Sequence, residues 1–366
     1  MAQVFWQTVA TPNQAAFSSE VFIDTGDTAP ITRAEMSKEL MKKVMPEATF
    51  RKYVSKFTEF GQRQGKYLII PKKLTRGFDT LWKNNIGEFD PLPTQSMAYK
   101  TSDIAVDERG LQMPITLHAR IFTQFDIVAE VREQLSNAVI GSLERDLLTN
   151  AFGYLDVLGL KTSSGISVMQ GKSILPTKTF SQNTTPITVE QADLSNVSFS
   201  GLTLKDILNF AHILTDLNVP SLDGKGFGNY LVIINHQAEM RLMSDPDFST
   251  IVSRLGDSSR IYDGYVGRFY GQDIILDKGK WIDYFLTQYN PDLGLYGNPN
   301  LQGKAIAIFL SKDAIREAIV LPEQVLPTQT VDHGRFMSVA VHTVRGETPT
   351  WFSVEGQPAG AILIGA

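Results

Sequence analysis

The groups in this chain that could do chemistry are few, and their spacing speaks against each familiar reaction. The histidines are His118, His212, His236, His333 and His342. No two stand four residues apart, so no helix presents a paired-imidazole zinc site. The sequence has no cysteine. Thiolate metal centres, disulfides and thiol nucleophiles are therefore excluded together. A serine hydrolase could be assembled from Asp245, His236 and a remote serine, but no Gly-x-Ser-x-Gly turn supports it.

Three glycine-containing runs imitate ligand loops. Gly165-Ile-Ser-Val-Met-Gln-Gly171-Lys172-Ser173 approaches a phosphate-binding loop, yet Ile166 occupies the glycine position and Pro176 follows where a helix should start. A surface loop is expected there. Gly224-Lys-Gly226-Phe-Gly228 precedes a strand, whereas a dinucleotide turn follows one. Asp216, Asn218 and Asp223 suggest a calcium loop, but Ser221 and Phe227 stand where its glycine and glutamate belong. The residues thus predict no catalytic, cofactor-binding or metal-ligating set, and a protein that is not an enzyme.

The 366 residues carry a formal charge of −5, which excludes a chain that grips phosphate backbones through bulk positive charge. A hydrophobic fraction of 43% with 20% charged residues fits a folded protein. No run reaches the roughly 18 apolar residues of a membrane span. The opening Met1–Thr8 lacks the pattern of a signal peptide, so an intracellular product is expected.

The elements are of unusual kinds. Residues 1–31 combine Pro12, Gly26 and Pro30 with Phe5, Trp6, Phe17, Val21 and Phe22, an extended arm that must lie on something. A capped helix is expected over 32–44, and a second amphipathic piece over Phe50–Phe57. Gly65–Lys73 and Ala98–Ile121 read as extended, with Leu74–Met97 between them lacking any period. The economical reading is a projecting two-stranded ribbon with a broad tip. A lone ribbon is marginal in water, so a second domain or another subunit must support it.

The strongest helix spans about Thr123 to Phe152, with Phe125, Val128, Val131, Leu135, Val139, Leu143 and Leu147 on one face. Glu130, Arg132, Glu133, Asn137, Glu144, Arg145 and Asp146 fill the other, and Gly153 is read as its stop. Further on, a capped helix begins at Thr203, and apolar strands occupy Tyr230–Asn235 and Lys304–Leu310. A short helix is expected over 237–243, a strand or turn pair over 265–277, a capped helix over 311–318 and a strand over Phe336–Val344. Strands and helices interleave without a βαβ rhythm, which predicts an α+β fold.

This order of parts resembles the major capsid protein of tailed bacteriophages, the Hong Kong 97-type fold, from about residue 50 to the end. The likeness is carried by the extended run with Ile86-Gly-Glu88-Phe-Asp90-Pro-Leu-Pro93 at its tip and by the helix Gln124–Phe152. It is carried further by Asn229–His236, by Met243–Phe248 and by Gly264–Leu276. The resemblance implies a 1–50 arm, a peripheral domain from 51–64 and 122–200 with the spine helix, and a 65–121 extended loop. It also implies a 201–325 axial domain and a 326–366 return to the peripheral domain.

The function so implied is that of a structural subunit assembling as hexamers and pentamers into an icosahedral shell around double-stranded DNA. DNA would be bound without sequence specificity. A portal and a separate scaffold protein would take part, with room for a decoration protein, and the location would be the virion capsid, assembled in the host cytoplasm. Subunit-interface residues would include Phe5, Trp6, Lys72, Lys73, Arg76, Trp82, Glu88 and Asp90. The alternatives are a nanocompartment shell of the encapsulin type and, more distantly, the hydrolase above.

Overall fold

The computed structural model describes residues 48–58, 67–73, 99–117, 127–180, 186–223, 228–248, 265–290, 295–331 and 335–366. The arm to residue 47, the helix expected over 32–44 and the ribbon tip lie outside them.

The chain forms two compact units. Among the described residues, one comprises residues 48, 107–117, 127–143, 319–331 and 335–345. The other comprises 49–106, 144–318 and 346–366.

In chain order the early strands are β1 (Ser55–Phe57), β2 (Tyr67–Lys73), β3 (Tyr99–Ala105) and β4 (Asp107–Thr116). Helix α1 (Ile127–Asn150) follows. Then come β5 (Val157–Thr162), β6 (Gly165–Gln170), β7 (Lys172–Ser173), β8 (Lys178–Phe180) and β9 (Ile187–Gln191). Helix α2 (Leu204–Asp216), β10 (Leu231–Ile234), α3 (His236–Met243), β11 (Tyr265–Phe269), β12 (Gln272–Leu276) and α4 (Trp281–Phe285) lead to a short pair, β13 (Tyr289–Asn290) and β14 (Leu295–Tyr296). The chain ends with β15 (Ala305–Leu310), β16 (Ile315–Val331), β17 (Phe336–Pro349) and β18 (Gly360–Gly365).

The larger unit is built on a seven-stranded mixed sheet in the order β11-β12-β10-β15-β18-β5-β6. Its central strands are apolar throughout because both faces are covered. Ile233, Ile306, Ile308, Ile362 and Ile364 join one core with Leu147 and Leu148 of α1. Their neighbours Val232, Ile234, Ala307, Phe309 and Leu363 join another with Ile207, Phe210 and Leu214 of α2 and Ala238 and Leu242 of α3. Residues that alternate along a strand point to opposite faces, so a strand sandwiched between two cores must be apolar at every position. Thr203 caps α2 as its sequence predicts, accepting from the Asp206 amide while Asp206 Oδ2 accepts from the Thr203 amide at 3.1 Å.

Asn235, fully buried, joins three elements through one amide. Its Oδ1 accepts from Ala238 N at 3.0 Å and Ile306 N at 2.9 Å. Its Nδ2 donates to Asp283 Oδ1 at 2.7 Å and the Lys304 carbonyl at 2.9 Å. Both acceptor and both donor positions are used.

In the smaller unit β4 pairs antiparallel with β17, Thr116 opposite Phe336 and Asp107 opposite Arg345. Buried Arg345 donates through Nη2 to Glu323 Oε1 at 2.5 Å and Thr343 Oγ1 at 2.9 Å.

Several sequence expectations are corrected. The 165–173 run is not a surface loop, since β6 forms a hairpin with β5. Ser311–Ala318 is not a helix, because the chain from Ile315 is β16, paired in parallel with β1 by its first residues. Pro322 and Pro327 also forbid a helix continuing past 318. Phe50–Phe57 is a 3-10 turn, Phe50–Tyr53, followed by β1. The extended run after residue 98 is two strands with different partners, since β3 pairs with β2 and β4 with β17. On α1, Leu135, Val139, Leu143 and Leu147 are buried as expected, but so are Glu144 and Asp146 from the expected polar face. Gly153 does not stop the helix. A Cβ there would run into the Leu175 side chain, so glycine is required by close packing.

Candidate functional site

The sequence directs attention to the ribbon, and its base can be built residue by residue. Strands β2 and β3 pair antiparallel, Tyr67 opposite Ala105 and Lys72 opposite Lys100. Strand alternation then divides β2 into two faces. Ile70 and Lys72 are buried, while Tyr67, Ile69 and Pro71 are exposed. On β3, Ser102 and Ile104 are buried.

The buried face lies on its own chain. At one end Gly346 abuts β3 so closely that a Cβ there would run into the Ala105 carbonyl. Near the other end the Lys72 side chain is 1% exposed, with Nζ 3.1 Å from Glu355 Oε2. The same ammonium stands 4.9 Å from the Trp351 ring centroid and 5.9 Å from that of Phe352. Glu355 Oε2 also accepts from Phe352 N at 3.2 Å. Asp156 takes both the amide and the hydroxyl of Ser353 at 2.6 Å. Burial pushes the Asp156 carboxyl up, against the pull of its Ser353 hydrogen bonds.

Lys72, one of the expected interface residues, is placed inside its own chain by this geometry. It is not an open surface cation awaiting a neighbour, because its charge is neutralised inside its own chain. Of the supports expected for the ribbon, a second domain or another subunit, the base of the hairpin finds its seat on its own chain. Lys73 closes β2. Phe5, Trp6, Arg76, Trp82, Glu88 and Asp90 lie outside the described residues.

A second buried ionic group was invisible in the sequence. Glu144 is fully buried and accepts from Phe50 N at 3.0 Å and Arg51 N at 3.5 Å. Arg51 Nε stands 3.7 Å from Glu317 Oε2, with both side chains buried. Burial pushes Glu144 up to about 7, with the two amides opposing and Asp277 adding repulsion. Burial likewise raises Asp277 to about 6, although Ile282 N donates to its Oδ2 at 2.8 Å. Glu144 and Glu317 thus lie beside one guanidinium, that of Arg51, while Asp277 acts on Glu144. All three are buried, an arrangement that does not offer itself to a ligand.

The hydrolase set is not brought together. His236 Nδ1 faces Glu239 Oε2 at 3.3 Å, and Asp245 Oδ2 accepts from Leu204 N at 3.0 Å at the start of α2. His342 pairs with Glu108 at 2.8 Å, and His118 and His333 lie outside the described residues. Among the described residues no three His, Asp or Glu side chains are grouped to hold a metal ion. No described helix is long and apolar enough to cross a membrane.

No protein-family model and no curated protein matches the sequence. Solved structures do match the fold. The capsid asymmetric unit of cyanophage Pam1 superimposes with a TM-score of 0.61 at 13% identity, covering 88% of this chain and 92% of that one. The capsid of cyanophage P-SCSP1u gives 0.55 at 12% identity, covering 87% and 88%. The capsid of Ralstonia phage GP4 gives 0.52 at 15% identity, covering 88% and 92%. The mixed helix-and-sheet fold is therefore that of phage capsid subunits, as the resemblance implied.

Proposed function

We propose that this chain is the major capsid protein of a tailed phage, a non-enzymatic subunit that closes with its copies into an icosahedral shell around double-stranded DNA. The observation that carries the reading is the fold match, which spans nearly the whole of this chain and of the capsid chains alike. A diffuse negative charge suits a wall that must not hold its genome fast. Residues 201–325 are assigned as the axial domain. The spine helix, 51–64 and 326–345 are assigned to the peripheral domain, whereas β5, β6 and β18 complete the sheet of 201–325 and go with it.

The outer face of the hairpin, with Tyr67 and Ile69 about half exposed, is assigned to a neighbouring copy. So are the arm with Phe5 and Trp6, and the tip with Arg76, Trp82, Glu88 and Asp90. A portal and a separate scaffold protein take part in assembly, which proceeds in the host cytoplasm.

The test is electron microscopy of the full chain expressed with and without its scaffold. Closed shells holding nuclease-resistant DNA after packaging are expected. Shells that enclose a cargo enzyme and no genome would replace this reading with the nanocompartment. Monomers and small oligomers under every assembly condition would refute both.

A further inference from the structure

The seat of Lys72 has more parts than packing a strand requires. Two aromatic rings and a carboxylate surround one ammonium, the arrangement by which proteins recognise cations selectively. The turn that carries them is itself held at two points. Glu355 takes the Phe352 amide and Asp156 takes the Ser353 amide. The cage is thus braced from within by Glu355 and from outside by Asp156, and Lys72 is the part that arrives from elsewhere in the sequence.

Lys72 lies at the end of β2 that leads toward the ribbon tip. Gly346 meets β3 at its opposite end, beside Ala105. Two contacts at the two ends of a short hairpin fix its direction as well as its position. Both belong to the single segment from Gly346 to Glu355 that follows the body of β17.

We propose that Lys72 and its cage form a latch that locks the ribbon's base onto its own subunit before any neighbour is met. The placement of the hairpin's base, Tyr67–Lys73 with Tyr99–Ala105, is then a property of the folded subunit and is not acquired on assembly. The consequence for shell building rests on the capsid reading; the latch itself does not.

The test is hydrogen–deuterium exchange on unassembled full-length subunits. Lys72→Met leaves the Glu355 carboxylate buried without the Lys72 cation, and Glu355→Gln takes the Glu355 anion from the Lys72 ammonium. In each, amides of Tyr67–Lys73 and Tyr99–Ala105 should exchange roughly a hundredfold faster, since breaking a buried pair from one side is strongly destabilising. The central strands Ala305–Leu310 and Gly360–Gly365 should keep their protection. In the Lys72→Met/Glu355→Gln double variant the acceleration should be far smaller than the product of the two single effects, because neither charge is left stranded.

Unchanged hairpin exchange in both single variants would overturn the latch. So would a double variant that equals the product, or an equal loss of protection in the central strands. If Lys72→Met does not fold, Glu355→Gln, which retains a polar partner for the ammonium, carries the comparison. Shell formation is scored separately by microscopy. An unlatched hairpin in subunits that still close into shells removes the latch and leaves the capsid reading intact, whereas intact latching without shells does the reverse.

Discussion

Glu144 makes the stability of this subunit depend on pH in the direction opposite to that of most carboxylates. Its ordinary value is 4.5, and in the fold it is pushed to about 7 because burial disfavours the charged form more than the Phe50 and Arg51 amides favour it. The folded state therefore holds a proton that the unfolded state releases. A carboxyl raised on folding gives stability that is complete below its unfolded value and is lost as pH rises through its folded value.

Applied to these two values, the linkage predicts a loss of roughly 2.5 kcal/mol between about pH 5 and about pH 8 from this one group. Asp277, raised to about 6 chiefly by its own burial, adds to the slope in the same direction. The assay is chemical denaturation of unassembled subunits at both pH values, for the natural sequence and for Glu144→Gln. Glutamine keeps an acceptor for the Phe50 amide and never ionises. The variant should lack the Glu144 part of the slope and be the more stable protein at the alkaline end, while the Asp277 part persists. Parallel pH dependences for the two proteins would refute the reasoning, and would mean that Arg51 keeps Glu144 ionised throughout.

Three further predictions concern the smaller unit. Glu323→Ala takes the carboxylate from the buried Arg345 guanidinium and should destabilise by about 3–5 kcal/mol, read as a fall in the denaturation midpoint. Joint replacement by Glu323→Leu and Arg345→Met should recover much of that loss. Leu135→Asp buries a charge at a position 2% exposed and should abolish soluble, cooperatively folded protein. Val131→Asp, at a half-buried position on the same helix, should give a folded protein with a lower melting temperature, checked by circular dichroism.

Legibility in the sequence followed the range of the forces involved. The strands Leu231–Ile234 and Ala305–Leu310 announced themselves because burial on both faces leaves a continuous apolar run. Helices α2 and α3 carried their caps, Thr203 and Asn235, within a few residues. Strand β18 went unread. It begins and ends on glycine, and its partners, β15 and β5, lie far away in sequence. Ser311 with Ala314, Ile315 and Ala318 offered a local helix signal that the pairing of β16 with β1 overrode. At the site the failure has the same cause. Lys72 beside Lys73 reads as a solvated pair, and the carboxylate that buries it lies 283 residues later. Glu144 falls among charged residues on the helix face opposite the apolar stripe, and nothing near it in sequence reveals that Phe50 and Arg51 close over it.

Asn235 has a consequence for how chains of this shape drift apart. The aliphatic layers around it can be rewritten with other aliphatics at modest expense, provided volume is kept. The amide has no such freedom. Aspartate would turn two donors into lone pairs facing Asp283 and the Lys304 carbonyl, and glutamine would overreach by one carbon. The sheet's tolerance of exchange therefore ends at this one amide.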